Sequence, residues 1–139
     1  MAPRKLNLSL LAEVFAVCRL SPGALIPDWA LQGNFFSVTR TGEELSIACE
    51  EGNVPDGITA SRSWRGWKVA GPFDFSQTGV IAAVVQPLAD AGISVFVLAT
   101  YDTDYIFVHQ DRLAQSRQVL LACGHTILPD LSLPRQPRG

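Results

Sequence analysis

The chain has 139 residues, 47% of them hydrophobic and only 17% charged, with a formal net charge of −2. That length and apolar fraction suffice for one ordinary domain or two small ones sharing a core. The sparse, slightly acidic charge lacks the basic footprint that binding a phosphate backbone requires, which argues against nucleic acid as a partner.

At the start, Met1-Ala-Pro-Arg-Lys5 leads into an apolar stretch interrupted by Asn7, Ser9 and Glu13. It is too short and too polar for a signal h-region or a membrane span, so a soluble cytoplasmic protein without membrane contact is expected. The three cysteines, Cys18, Cys49 and Cys123, are odd in number, far apart and set in apolar or strand-like runs, so they read as reduced thiols.

Leu6, Leu8 and Leu10 alternate with polar residues, and Val14-Phe-Ala-Val-Cys-Arg-Leu20 is a β-branched and aromatic run ended by Ser21-Pro-Gly23. Both read as strands. Pro27-Asp-Trp-Ala-Leu-Gln32 predicts a short helical turn with proline first, stopped at Gly33. Phe35–Arg40 and Leu45–Cys49 then read as strands joined at Thr41-Gly-Glu43. The first half thus has a cramped β-α-β-β order.

Glu51-Gly-Asn-Val-Pro-Asp-Gly57 is dense in turn residues and poor in packing ones, which places a boundary just after it. Trp64-Arg-Gly-Trp-Lys-Val-Ala70 resumes a strand that can close the first module, open the second, or do both. In the second half, Val80, Ile81, Val84, Val85 and Leu88 fall at helical spacing on one face. Thr78 or Ser76 can cap that helix and Gly92 can end it, while Pro87 removes one of its backbone hydrogen bonds. Gly92 to His109 reads as two strands meeting at a tight acidic turn without a basic residue. Asp111 is a good N-cap for a second helix whose Leu113, Val119, Leu120 and Cys123 can face a sheet before Gly124 terminates it. Two helices on one face of an antiparallel sheet make an α+β sandwich of the split β-α-β type. The end of the chain, 129–139, carries three prolines without periodicity and is expected to be a disordered tail.

Gly71-Pro-Phe-Asp-Phe-Ser-Gln-Thr-Gly79, the helix ending Pro87-Leu-Ala-Asp-Ala-Gly-Ile93, and Ser94 to Val108 together resemble the ACT domain of the CASTOR type, over roughly Trp64 to Leu128. The resemblance implies two ACT-like, ferredoxin-like βαββαβ units packed as a pseudo-symmetric sandwich, the first reduced, with divisions at 5–60 and 61–128. It further implies a regulatory module without catalysis, binding a small effector, most simply an amino acid, with no cofactor and with a possible homodimer. Carried over residue by residue, Ser76, Gln77, Thr78 and Gly79 in the loop opening the first helix, and Thr100, Tyr101, Thr103 and Asp104 in the turn, would hold the ligand.

The chemistry of these positions has its own logic. A helix N-terminus presents unpaired N–H groups and partial positive charge that suit a carboxylate, and glycine lets a ligand approach the backbone. An aspartate across from it, Asp104 or Asp102, suits an ammonium, so the pair could clamp a zwitterion. Against this, aspartate is common in turns because it hydrogen-bonds its own backbone, and Gly79 can serve helix-sheet packing alone.

Other chemistries fare worse. His109 and His125 have no ligand spacing with the cysteines, so no metal site is expected. No nucleophile motif or phosphate loop accompanies the aspartates, which argues against an enzyme. The same element order builds RNA-recognition modules, and Phe96, Tyr105 and Phe107 could supply aromatics, but no Lys or Arg occurs between Lys68 and Arg112. A ligand-free dimerisation or protein-docking module of the same fold is the alternative function. Trp29, Trp64 and Trp67 are expected as core or interface anchors.

Overall fold

The structure is a computed structural model and describes residues 4–72 and 78–129. Its strands are β1 (Asn7–Leu10), β2 (Phe15–Leu20), β3 (Phe36–Arg40), β4 (Leu45–Glu50), β5 (Ala60–Val69), β6 (Val95–Ala99), β7 (Asp104–His109) and β8 (Thr126–Ile127). The helices are α1 (Val80–Asp90) and α2 (Leu113–Ala122). Among the described residues no helix is long and apolar enough to cross a membrane.

Two compact units arise, one of residues 13–64 and one from the described residues before 13 and after 64. The division falls inside β5, a continuous strand of ten residues. The strand expected from Trp64 thus begins at Ala60, and serves β2 with its first part and β1 with its second.

The unit of residues 13–64 is a sheet in which β4 lies between β3 and β2, all antiparallel, with the start of β5 beyond β2. Its core gathers Ala16, Cys18, Leu45, Ile47 and Cys49 from the sheet, with Ala30 from a short 3-10 helix, Asp28–Leu31. Proline stands just ahead of that helix, at its N-cap, and Gly33 follows with φ of 90°. A bulge shifts the β2–β5 register between Phe15 and Val17, and there Ser63 takes a left-handed φ of 70° while its N–H donates to the Glu51 carboxylate at 2.7 Å. The segment after β4 is less empty than its composition suggests, because Val54 is buried in this core. Burial pushes the Cys49 thiol up to about 11, with neighbouring Cys18 adding to it, so the pair behaves as inert apolar volume.

In the other unit, β6 pairs β7, β7 pairs β5, and β1 inserts between β5 and β8, antiparallel to the first and parallel to the second. From β5 onward the order is β-α-β-β-α-β, as expected. The alternating Leu6-Leu8-Leu10 segment, assigned by sequence to the first module, pairs here instead, because Leu6 and Leu8 join Trp67, Val69, Ile106, Val108, Val84, Leu88 and Leu120 in one buried cluster. Val80, Val84 and Leu88 are the buried stripe of α1, and Ile81 is exposed.

Both helices end in the same hydrogen-bond pattern. Gly92 N–H reaches Ala89 O and Ile93 N–H reaches Leu88 O, while Gly124 N–H reaches Leu121 O and His125 N–H reaches Leu120 O. With positive φ at both glycines, these are Schellman endings, as the glycine positions predict. The start of α2 departs from expectation. A 3-10 turn, Gln110–Arg112, precedes it, and His109 is the cap, its Nδ1 accepting from Asp111 N–H at 3.2 Å. Asp111 is inside that turn and cannot cap it.

The second unit is tied together by four hydrogen bonds that hydrophobic periodicity does not display. Trp67, fully buried, donates its indole N–H to Ser116 Oγ at 3.0 Å, and that hydroxyl donates to Leu113 O. Pro87 has no N–H to give to Ala83 O four residues earlier, and His125 Nε2 lies 2.7 Å from that carbonyl. The histidine's Nδ1 accepts from Leu6 N–H at 3.1 Å, which fixes the neutral tautomer with its proton on Nε2. One imidazole therefore links β1, α1 and the end of α2.

Candidate functional site

The end of β5, the start of α1 and the turn between β6 and β7 lie at one end of their sheet. This follows from connectivity, since β5 leads through a loop into α1, and β6 returns to the level at which β5 ended. Thr103 makes the link directly, its buried hydroxyl donating to Val69 O, the last residue of β5, at 2.6 Å.

Of the residues expected in the opening loop, Ser76 and Gln77 lie outside the described residues. Thr78 and Gly79 are placed at the head of α1. Gly79 is the N-cap with φ 80° and ψ 0°, and no side chain among the described residues caps the helix. Among the described residues no side chain takes the first N–H groups of α1. A Cβ on Gly79 would meet none of the described residues within 4 Å, so packing against the sheet is not why glycine stands there. The left-handed backbone is. Gly79→Ala is therefore expected to cost about 1 kcal/mol in urea unfolding, the strain of an L-residue in that region, without a clash. A cost of several kcal/mol would mean that the site is packed after all.

Thr78 and Gly79 also border an open groove of about 960 Å³ along α1 and α2, where Ala82 and Ala83 leave the floor low. Arg4 and Asp90 supply its charges, and Arg4 donates to Thr78 O at 3.4 Å. The four turn residues are not part of this groove.

Within the turn, Thr100 N–H and its hydroxyl both donate to Thr103 O, at 2.8 and 3.0 Å, and Thr103 N–H returns to the Thr100 hydroxyl. Both threonine hydroxyl protons are thus engaged inside the protein, and these residues shape the turn rather than offer donors to a ligand. Tyr101 and Asp102 are exposed on the turn. Asp104 opens β7 opposite Ala99, half-buried, and shares strand parity with the buried Ile106 and Val108. Burial pushes its carboxyl above the ordinary aspartate value, and it has no hydrogen-bond partner among the described residues.

Sequence reasoning named Asp104 and the helix start, and did not find Arg4, Asp90 or the groove. Arg4 lies in a segment that reads as a plain N-terminal arm, and nothing local shows that it folds against α1.

Comparison with known proteins places the chain. A family model for the ACT domain matches residues 59–121, and a model for an N-terminal domain matches residues 13–57. The human protein CASTOR3P is 37% identical over 109 residues, covering 66% of this chain and 67% of that protein. The human cytosolic arginine sensor for mTORC1 subunit 1 is 33% identical over 58 residues, 41% of this chain but only 18% of that protein's length. The crystal structure of an Agrobacterium tumefaciens protein superposes with a TM-score of 0.85 at 36% identity, over 90% of this chain and 93% of the other. On these matches and on the β-α-β-β-α-β sheet with its two helices, the chain belongs to the CASTOR-type ACT domain family.

Proposed function

We propose that this chain is a regulatory, non-catalytic module that binds a small effector of the amino-acid class at the head of α1 and the adjoining turn. The observation that carries the reading is Asp104, a half-buried carboxylate without a partner among the described residues, at the same end of the sheet as the uncapped N–H groups of α1. A free amino acid bears an ammonium and a carboxylate a short distance apart, and each finds its complement there. Likeness to a protein named for sensing arginine supports the class and leaves the particular amino acid open. The loop residues Ser76 and Gln77, with Thr78 and Gly79, would hold the carboxylate, and Thr100, Tyr101 and Thr103 would set the turn that aims Asp104.

Asp104→Asn tests this with two opposed effects. The raised carboxyl means that the folded state holds its proton more tightly than the unfolded chain. Stability from this group is present below the ordinary aspartate value and is lost as pH rises through the raised one. At neutral pH the bare carboxylate therefore weakens the empty protein, and asparagine should leave its stability equal or higher. The same substitution should weaken amino-acid binding by about 1.5–3 kcal/mol, the scale of a charge-assisted hydrogen bond. Unchanged affinity by titration calorimetry would remove Asp104 from the site.

A further inference from the structure

The groove along α1 and α2 carries a charge at each end, and both charges stand against the dipole of α1. That helix has no acidic residue in its first turn and no basic one in its last. Arg4 instead lies at its head, donating to Thr78 O, and Asp90 is its final residue. A helix is partially positive at its head and partially negative at its end, so each charge sits where α1 disfavours it. Local conflicts of this kind are expected at functional positions.

Between the two charges the groove is apolar. Ala82 and Ala83 of α1 and Val119 and Ala122 of α2 line it there. His125 also borders it, but both ring nitrogens are engaged with backbone groups and the ring is neutral. Gln86 Nε2 donates to Asp90 Oδ1 at 2.8 Å, which holds the carboxylate against α1 beside the groove. The 11 residues of α1, rising about 1.5 Å each, set the two ends about 16 Å apart. The groove's volume of about 960 Å³ is that of a cleft for a small ligand, for which about 300–1,000 Å³ is usual.

We infer that this groove binds a short unblocked peptide of apolar residues, its C-terminal carboxylate at Arg4 and its N-terminal ammonium at Asp90. An extended chain spans about 3.3–3.6 Å per residue, so about five residues separate the terminal charges by the length of the groove. In that direction each terminus meets a side chain of opposite sign and the helix end that complements it, and both conflicts along α1 are relieved. The apolar side chains of the peptide lie over the alanines. A single amino acid carries the same two charges too close together to reach both ends. Thr78 and Gly79 border this groove as well as the effector site, but Asp104 and the rest of its turn do not, and the inference does not rest on the effector reading.

The test is titration calorimetry of the full chain at neutral pH and low salt, with a pentapeptide of alternating alanine and leucine as the probe. The free peptide is expected to bind, and its N-acetylated and C-amidated forms each to bind about fivefold more weakly, the range of exposed charge pairs. In Asp90→Asn acetylation should cost nothing further, and in Arg4→Gln amidation should cost nothing further. Both substitutions remove a charge from the helix end that disfavours it, so both variants should keep the circular dichroism and the stability of the parent. No binding of the free pentapeptide at millimolar concentration would overturn the inference. Equal affinity for the free and blocked peptides would overturn it too, as would an acetylation loss that persists in Asp90→Asn or an amidation loss that persists in Arg4→Gln.

Discussion

Replacing His125 with alanine is expected to destabilise the protein by about 2–4 kcal/mol, because it leaves one buried and one part-buried backbone group without its partner. One is Leu6 N–H, which donates to the ring, and the other is Ala83 O. That carbonyl lost its helical donor to Pro87 and has the imidazole in its place. The argument makes a sharper claim than simple loss of a buried side chain. Pro87→Ala restores an N–H four residues after Ala83, so in the double variant the carbonyl is satisfied again, and the histidine's removal should cost about 1 kcal/mol less than it does alone. Urea unfolding of the four proteins measures this coupling. Additive losses would mean that the histidine does not stand in for the missing helical bond.

Trp67→Ala is expected to cost about 3–5 kcal/mol, as for other large aromatic side chains removed from a core. The ring is fully buried at the centre of its unit, between strands and α2, and Arg117 lies over it with the guanidinium carbon 5.4 Å from the ring centre. Ser116→Ala separates packing from polar contact. It removes the acceptor of the indole N–H and the hydroxyl's own bond to Leu113 O while keeping the ring, so it should cost about 1–2 kcal/mol. Near-equal losses for the two variants would show that the hydrogen bond, and not the volume, dominates.

Much of this fold is written in local pattern. Apolar spacing in 80–88, glycines after both helices and the acidic turn between two apolar strands gave the βαββαβ order because each is a short-range device. Two of the failures share a cause, which is distance along the chain. Leu6–Leu10 alternates as any strand does, and only pairing with residues near 68 and 126 shows which unit it completes. Asp111 is as good a cap by type as any residue, but His109 reaches the amide first from a strand end. The proline in α1 announces an unpaired carbonyl, yet its substitute lies 42 residues away in sequence.

The candidate site was legible to a similar extent. Asp104 and Gly79 could be named from residue type and position, since a carboxylate at a strand end and a glycine at a helix start are visible in the chain. Thr100 and Thr103 look like donors in the sequence, but the Thr100 hydroxyl donates to Thr103 O and the Thr103 hydroxyl to Val69 O, which only the turn's geometry decides.

The most direct measurement is a thermal-shift series of the full chain against each common free amino acid at neutral pH. A ligand that binds only the folded state at a hundredfold excess over Kd stabilises it by about 2.7 kcal/mol. In a chain of this size that raises Tm by roughly 10 °C. The account predicts such a rise for one amino acid or a small chemically related set, much reduced in Asp104→Asn. No rise with any amino acid at millimolar concentration, or an equal rise in Asp104→Asn, would contradict it.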